Sequence, residues 1–582
     1  MISQELRDKF LKFFESKGHK IIPSSPLLPE DDPTVLFTTA GMQQFKPYFA
    51  GVKDVVKEYG NKNLASVQKC FRTSDIESVG DESHLTFFEM LGNFSIGGYG
   101  KKEAIKFAWE LMTSKDWYGL PNDKFFATVF AGDNEIPADT ESEKFWKEVA
   151  PGIEVKRSGR EENFWPNPIW IGTCGPSLEL HYVLDDGSNI EVWNLVFTQY
   201  FHNEDGTFKD LGQVNIDTGM GLERLAMIAQ KKKTIFETDL FNAAKEVLEE
   251  VDTIKSPESV SAIRIVLDHI KAAIFIIDDG IEPSNKEQGY VLRRLIRSSA
   301  LHAKIANIDL LKEGPFGLIV NEFTRIYGNF YPTILHNKGK INTILDNELV
   351  KFYKTLDIGM KKILSRQSSG PISGSEAFNF YQTYGFPPEL MKKFAEVNLE
   401  GFEEAMQHHQ ELSRTASSGM FKGGLADHSD VVIKYHTATH LLHQALRDVL
   451  GAEVFQKGSN ITAERLRFDF SFNRKMTDEE IKKVEYIINQ KIKEDLKVDH
   501  MIITLDEAKK MNAIGLFDEK YVDKVSIYGV GPGYKLDGGY YSLEFCGGPH
   551  VERTSVIGKI KITQEEAVSA GTRRIRAEIV LR

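Results

Sequence analysis

Apolar residues along the chain follow two periodicities, and each predicts an element. From residue 3 to 17, Leu6, Phe10, Leu11, Phe13 and Phe14 recur at helical spacing, and Gly18 ends the run. Two β-prone runs, Val67 to Phe71 and Leu85 to Phe94, flank a polar, acidic loop and predict a long hairpin. Val35-Leu36-Phe37 predicts a short buried strand, with Pro33 restricting the chain before it. Lys102 to Ser114 predicts a helix and Lys124 to Ala131 a strand. Glu191 to Gln199 alternates as a strand that puts Trp193 and Asn194 on opposite faces. Asn163 to Tyr182 mixes aromatics with Gly and Pro and reads as a pocket wall rather than a regular element. Ser259 to Ile277, Glu287 to Ala306 and much of 310–415 are helical in pattern. Residues 414–428, RTASSGMFKGGLADH, form the clearest linker.

Composition narrows the class. A chain of 582 residues is too long for one core. Its 41% hydrophobic and 27% charged residues are ordinary for a soluble globular protein. Three scattered cysteines do not make a disulfide framework and point to a reducing compartment. The N-terminus lacks the apolar core of a signal peptide, and no run approaches a membrane span, so the expectation is a cytoplasmic protein with no membrane partner. The net charge of −12 argues mildly against nucleic acid, but charge is local. Arg293, Arg294 and Arg297 cluster on one predicted helix with Lys304 further on, a basic patch suited to tRNA or another polyanion.

Chemistry-bearing residues gather in two regions. Arg72 sits at the mouth of the predicted hairpin, with a planar fork suited to a phosphate. Glu89, beside Met90 in the returning run, is costly there without a partner. Asp217 to Leu225, DTGMGLERL, reads as a turn whose Gly219 and Gly221 admit a ligand, then a helix start that carries Arg224. Two arginines on separate elements fit chemistry in which phosphate charge builds up. An Arg beside a hairpin loop is more often a solvated edge residue, so the second stretch carries the weight. A buried Asn194 needs hydrogen-bond partners that a ligand can supply. Near the C-terminus, YHTATHLLH puts His436 and His440 on one helical face, and CGGPH brings Cys546 and His550 into a tight turn. Each half is weak alone; together they make a zinc set. His443 shares the helix as a packed or solvated residue, and Gln456 in FQKGSN can orient a water or a ribose hydroxyl.

These stretches together resemble the alanyl-tRNA synthetases, a family of class II aminoacyl-tRNA synthetases. DDPTVLFTTAGMQQF is similar to the first class II motif, Arg72 with TFFEMLGNFS to the second and DTGMGLERL to the third. VLRRLIR, YGFP, HTATHLLH, LRFDFS and CGGPHVERT continue the match in order. The resemblance implies an α+β chain. A class II antiparallel sheet with flanking helices would occupy residues 1–240, a helical tRNA-recognition domain 241–413, a linker 414–430 and an α+β zinc-binding editing domain 431–582. It implies ATP-dependent ligation of L-alanine to tRNA-Ala through alanyl-adenylate by a monomer, with hydrolytic editing of mischarged Ser- or Gly-tRNA-Ala. The alternative is mainly a tRNA deacylase with impaired aminoacylation.

By motif matching, Arg72 and Arg224 would bind ATP phosphates, with Mg2+ accompanying ATP. Glu89, Met90, Val192, Trp193, Asn194, Gly219 and Gly221 would surround the adenosine and the amino acid. Asn194 and Asp217 would hold alanine, and Trp165 or Trp170 would close the pocket. His436, His440, Cys546 and His550 would hold zinc, with Gln456 as the editing site's polar partner. Arg293, Arg294, Arg297, Lys304 and Gln382 would meet tRNA. Lys304 and Gln382 stand where the family has the Asn and Asp that read a G·U pair. Other departures are a short second-motif loop, Leu85 in place of a second His, Pro549 in place of Thr, no β-barrel before HTATH and no C-terminal module after Arg582.

Overall fold

Residues 30–34, 166–171, 204, 312–313, 368–369, 387, 393, 407–428, 463, 515–523, 532–538, 570 and 581–582 lie outside the part of the chain described by the computed structural model. Pro33, Trp170 and all but the last two residues of the expected linker are among them. The chain divides into two compact units. The first holds Met1–Ile372 and Asn379–Val397, and the second holds Ser373–Phe378 and Asn398–Arg582. Residues 1–240 and most of the expected helical domain thus share one unit.

The first unit is built on a mixed sheet. Its strands are β1 (Lys20–Ile21), β2 (Asn63–Phe71), β3 (Phe87–Ser95), β4 (Phe125–Phe130), β5 (Glu154–Ser158), β6 (Phe164–Trp165), β7 (Gly172–Val183), β8 (Asn189–His202) and β9 (Phe208–Gly221). The order is β1-β2-β3-β9-β8-β7-β4-β5, with β6 paired to β7. The predicted hairpin is β2–β3, antiparallel with Cys70 opposite Phe88. Three expectations change. Residues 35–37 are not a strand: Phe37 is buried while Leu36 is exposed. Most of the stretch read as an irregular wall is the strand β7, whose neighbours β4 and β8 supply partners that no local pattern announces. DTGMG is the end of β9 rather than a turn, and a Cβ on Gly219 would lie 2.8 Å from Met90 Sδ, so the glycine serves close packing.

Helices cover one face. Helix α1 (Ser3–Ser16) buries Leu6, Phe10, Phe13 and Phe14, and Phe10 and Phe14 meet the Trp193 ring. Helix α2 (Lys101–Thr113) buries Ala104, Ile105, Ala108, Leu111 and Met112. Helix α3 (Leu222–Ala229) follows β9, and α4 (Pro257–Asp278), α5 (Glu287–Ile305) and α6 (Lys338–Gln367) lead the helical part. The second unit stacks α7 (Asp430–Leu450) and α8 (Asp478–Lys493) on a sheet ordered β10-β11-β16-β15. These strands are Gln456–Ile461, Leu466–Ser471, Thr572–Val580 and Lys559–Ser569. A smaller sheet joins β12 (Lys497–Thr504), β13 (Lys524–Gly531) and β14 (Ser542–Phe545).

Charged groups tie the first unit together. Glu89 is fully buried on the helix-facing side of β3, where it takes both forks of Arg7 from α1. Tyr331 donates its hydroxyl to the same carboxylate at 2.9 Å. The Glu89 backbone N–H points at Glu223 of α3 at 3.2 Å, and Lys271 of α4 lies 3.4 Å from Glu223. Asp268 of α4 accepts from the Thr86 backbone and hydroxyl at 3.0 and 2.5 Å. Removing one partner from such a pair leaves a bare buried charge. Glu89→Ala is expected to cost about 3–5 kcal/mol of the first unit's unfolding free energy, measured by denaturant titration, while Arg7→Met with Glu89→Leu recovers most of it.

Candidate active site and metal centre

Alternation along the strands builds one wall of a cavity of about 350 Å³ in the first unit. On β3, Phe88 and Met90 face it, whereas Glu89 turns to the helices. On β8, Val192, Asn194 and Val196 face it, whereas the Trp193 side chain packs on α1. Glu89 and Trp193 therefore do not line the cavity with their side chains: each occupies the alternate strand face, and Glu89 holds the scaffold behind the wall. Arg72, Met90, Trp165, Val192, Asn194, Asp217, Gly219, Gly221 and Arg224 do converge there. Trp170 lies outside the described residues.

The two arginines enter from different elements. Arg72 follows β2, donates Nε to the Thr39 carbonyl at 3.2 Å and lies 5.0 Å over the Phe88 ring. It makes no carboxylate pair among the described residues, which leaves much of its fork for an anion. Arg224, on the first turn of α3, reaches the Glu191 carbonyl at 3.1 Å and its carboxylate at 3.0 Å. Cross-strand register sets the polar row: Gly219 of β9 is opposite Asn194 of β8, and Asn194 is opposite Glu179 of β7. One register pair away, Asp217 is opposite Val196 and Val196 is opposite Ser177. Asp217 is 6% exposed, and burial pushes its carboxyl up to about 7. Asn194 Oδ1 and Ser177 Oγ are buried without partners among the described residues. A pocket with two cations at one part and acceptors at another suits a molecule that carries both phosphate and ammonium groups.

Sequence reading missed Glu179, Ser177, Glu191 and His84. All four line the cavity. Ser177 and Glu179 share one face of β7, a period-2 signal hidden because the stretch was read as irregular. His84 is fixed by Asp81, whose Oδ2 is 2.5 Å from Nδ1 and whose Oδ1 takes two backbone N–H groups.

The expected tRNA-facing residues are already engaged within the unit. Arg293 and Arg297 meet Glu348 at 3.2 and 2.8 Å, Arg294 pairs with Glu77 and Lys304 pairs with Asp309 at 2.7 Å. Gln382 is exposed. An incoming phosphate would have to compete with these pairs, which neutralise part of the patch.

In the second unit, His436 and His440 of α7 meet Cys546 and His550 after β14, with ligand atoms within 4.8 Å of one another. Cys546 Sγ lies 3.4 Å from His436 Nε2 and 3.3 Å from His550 Nε2. The Nδ1 atoms of His436 and His550 are held by the Pro549 carbonyl at 3.0 Å and the Thr437 hydroxyl at 3.1 Å, leaving Nε2 for the centre. His440 Nδ1 is buried without a partner among the described residues. Burial pushes the His436 imidazole down to about 4 and His550 well below its ordinary value, so both rings are neutral and ligand-ready. This N3S set fits a tetrahedral metal of zinc type. His443 is apart, 3.2 Å from Glu544. Gln456 opens β10 and donates to Ser459 Oγ at 3.1 Å.

Residues 5–489 match the family described as tRNA synthetases class II (A), so the chain belongs to the class II aminoacyl-tRNA synthetases. Residues 525–576 match the threonyl and alanyl tRNA synthetase second additional domain. Within the class, the chain is a member of the alanine–tRNA ligase family. It is 44% identical over 610 residues to the alanine–tRNA ligase of Borreliella afzelii, spanning all of both chains. It is 45% identical to that of Treponema denticola over 98% of each. With the Halalkalibacterium halodurans enzyme it shares 36% identity, covering 99% of this chain and 79% of that one.

Asp217 generates a prediction about stability. Its folded value near 7 exceeds the usual carboxylate value of 3.8, so folding takes up a proton and stability is lost as pH rises from about 4 through 7. Asp217→Asn is expected to raise Tm at pH 8 and leave it nearly unchanged at pH 4, measured by thermal melts across that range.

Proposed function

We propose that the chain activates L-alanine with MgATP and transfers it to tRNA-Ala, and that its second unit hydrolyses tRNA charged with serine or glycine. The single observation that carries this reading is the cavity in which Arg72 and Arg224 stand with Asn194 and a buried Asp217 that has no ion-pair partner among the described residues. In the first step a carboxylate oxygen of alanine attacks the α-phosphorus of ATP, the bond to the β-phosphate oxygen breaks and pyrophosphate leaves. Arg72 and Arg224 hold the phosphates and offset the charge that develops on them. Asp217 pairs with the substrate ammonium, and the backbone at Val192, Gly219 and Gly221 gives the adenosine a close, flat approach. In the second step a terminal ribose hydroxyl of tRNA attacks the alanyl carbonyl and AMP leaves. Binding to tRNA would draw on Arg293, Arg294, Arg297, Lys304 and Gln382 and would take place in the cytoplasm. The working domains would be 1–240 for ligation, 241–413 for tRNA and 431–582 for editing.

Editing follows from a limit on discrimination. A pocket for a methyl group separates alanine from glycine or serine by only about 10–200-fold. A second, hydrolytic site removes the errors. When bound by His436, His440, Cys546 and His550, zinc would close a four-ligand shell and tie α7 to the loop after β14. Gln456 is the polar partner proposed for the aminoacyl end.

Two outcomes test the reading. In alanine-dependent ATP–pyrophosphate exchange, KM for alanine should be flat above pH 7. It should rise toward tenfold per unit below that as Asp217 gains a proton and loses its attraction for the ammonium. No exchange at any pH would leave only deacylation. Cys546→Ala should lose bound zinc by elemental analysis and let seryl-tRNA accumulate, with alanine activation kept. Normal clearance of seryl-tRNA by that variant would remove the editing assignment.

A further inference from the structure

In the cavity wall, Asn194 is joined to a chain of hydrogen bonds whose other members have no part in the scheme above. Glu179 Oε1 accepts from Asn194 Nδ2 at 3.2 Å, and Glu179 Oε2 lies 3.0 Å from His181 Nε2. The His181 ring stacks on Phe126 at 4.7 Å with the planes 8° apart, which fixes its direction. Burial pulls the Glu179 carboxyl up, with Glu191 and Glu162 adding to the pull, and the His181 hydrogen bond opposes it. At the other end of the chain, Asn194 Oδ1 is buried without a partner among the described residues.

The two ends of a carboxamide have nearly the same shape, so sterics alone do not choose which faces a ligand. The choice matters here. An oxygen accepts from an ammonium, whereas the amide NH2 turns its own donors toward it. A carboxylate only accepts, so Glu179 is satisfied by Nδ2 and by nothing else that Asn194 can offer.

We propose that Glu179, braced by His181, is a positioning residue that locks the Asn194 carboxamide with its oxygen available to the amino group of the amino acid. The cavity thereby presents acceptors from Asn194 and Asp217 and prefers an ammonium to a hydroxyl at that position. This rests on the reading that the cavity activates alanine.

The test uses the full-length protein in ATP–pyrophosphate exchange. Glu179→Gln keeps the shape but can donate as well as accept, which frees Asn194 to turn. KM for alanine is expected to rise about tenfold or more, from the loss of a hydrogen bond to a charged group. KM for ATP should stay within twofold and kcat at saturating alanine within threefold. L-Lactate, with a hydroxyl in place of the ammonium, serves as the competitive probe. Its inhibition constant should be unchanged or lower in the variant. His181→Gln should move the same quantities in the same direction by less, and it is measured as well in case E179Q melts early. In an Asn194→Ala background, E179Q should add nothing to KM for alanine. Equal weakening of alanine and lactate would make Glu179 merely structural and overturn the proposal, as would an unchanged KM for alanine. Absence of alanine-dependent exchange in the unaltered chain would overturn the reading of the cavity, and this proposal with it.

Discussion

The carboxylate of Glu89 is the constraint on which the first unit depends. It sits inside an apolar strand with no access to water, and such a charge persists only with full partners. Those partners come from places far apart in the chain: Arg7 from α1 and Tyr331 from the helical part. The backbone of the same residue meets Glu223 on α3, and Lys271 on α4 joins Glu223. A strand that carries the cavity wall is thus fixed by helices, and one of them, α3, also carries Arg224 to the cavity. These contacts join the expected catalytic domain to the helical part within one compact unit, and a glutamate expected to surround the substrates acts from behind the site.

Strand alternation then divides labour across the sheet. One face of β3 and β8 holds Glu89 and Trp193 against helices, and the other presents Met90, Val192 and Asn194 to the cavity. Gly219 lets β9 come close to Met90, and register brings Asn194 between Gly219 and Glu179. Burial leaves Asp217 near its midpoint at neutral pH, with no ion-pair partner among the described residues. Stability lost to a buried acid is a common feature of preformed binding sites, in keeping with the role proposed for Asp217.

The second unit solves a different problem with the same economy of means. Helix α7 spaces His436 and His440 one turn apart, and the segment after β14 brings Cys546 and His550 to them. Partners for the outer ring nitrogens of His436 and His550, Pro549 and Thr437, lie next to the ligands themselves. Position 549 therefore contributes its carbonyl, which a proline supplies as well as a threonine.

Local chemistry in the sequence was enough for much of this. The hairpin of β2 and β3, the helix with two histidines, the paired arginines and the metal set follow from apolar period, ligand type and spacing, which depend on near neighbours. The order of motifs added the family. Only the tertiary structure decided which face each strand residue takes. It turned the DTGMG stretch into strand, made β7 out of a stretch read as irregular and withdrew Glu89 and Trp193 from the cavity. It also paired the expected tRNA-binding arginines with Glu77 and Glu348 and joined Glu179 to Asn194. Each of these outcomes depends on cross-strand register or on partners tens to hundreds of residues away, and no local pattern encodes a partner it does not contain.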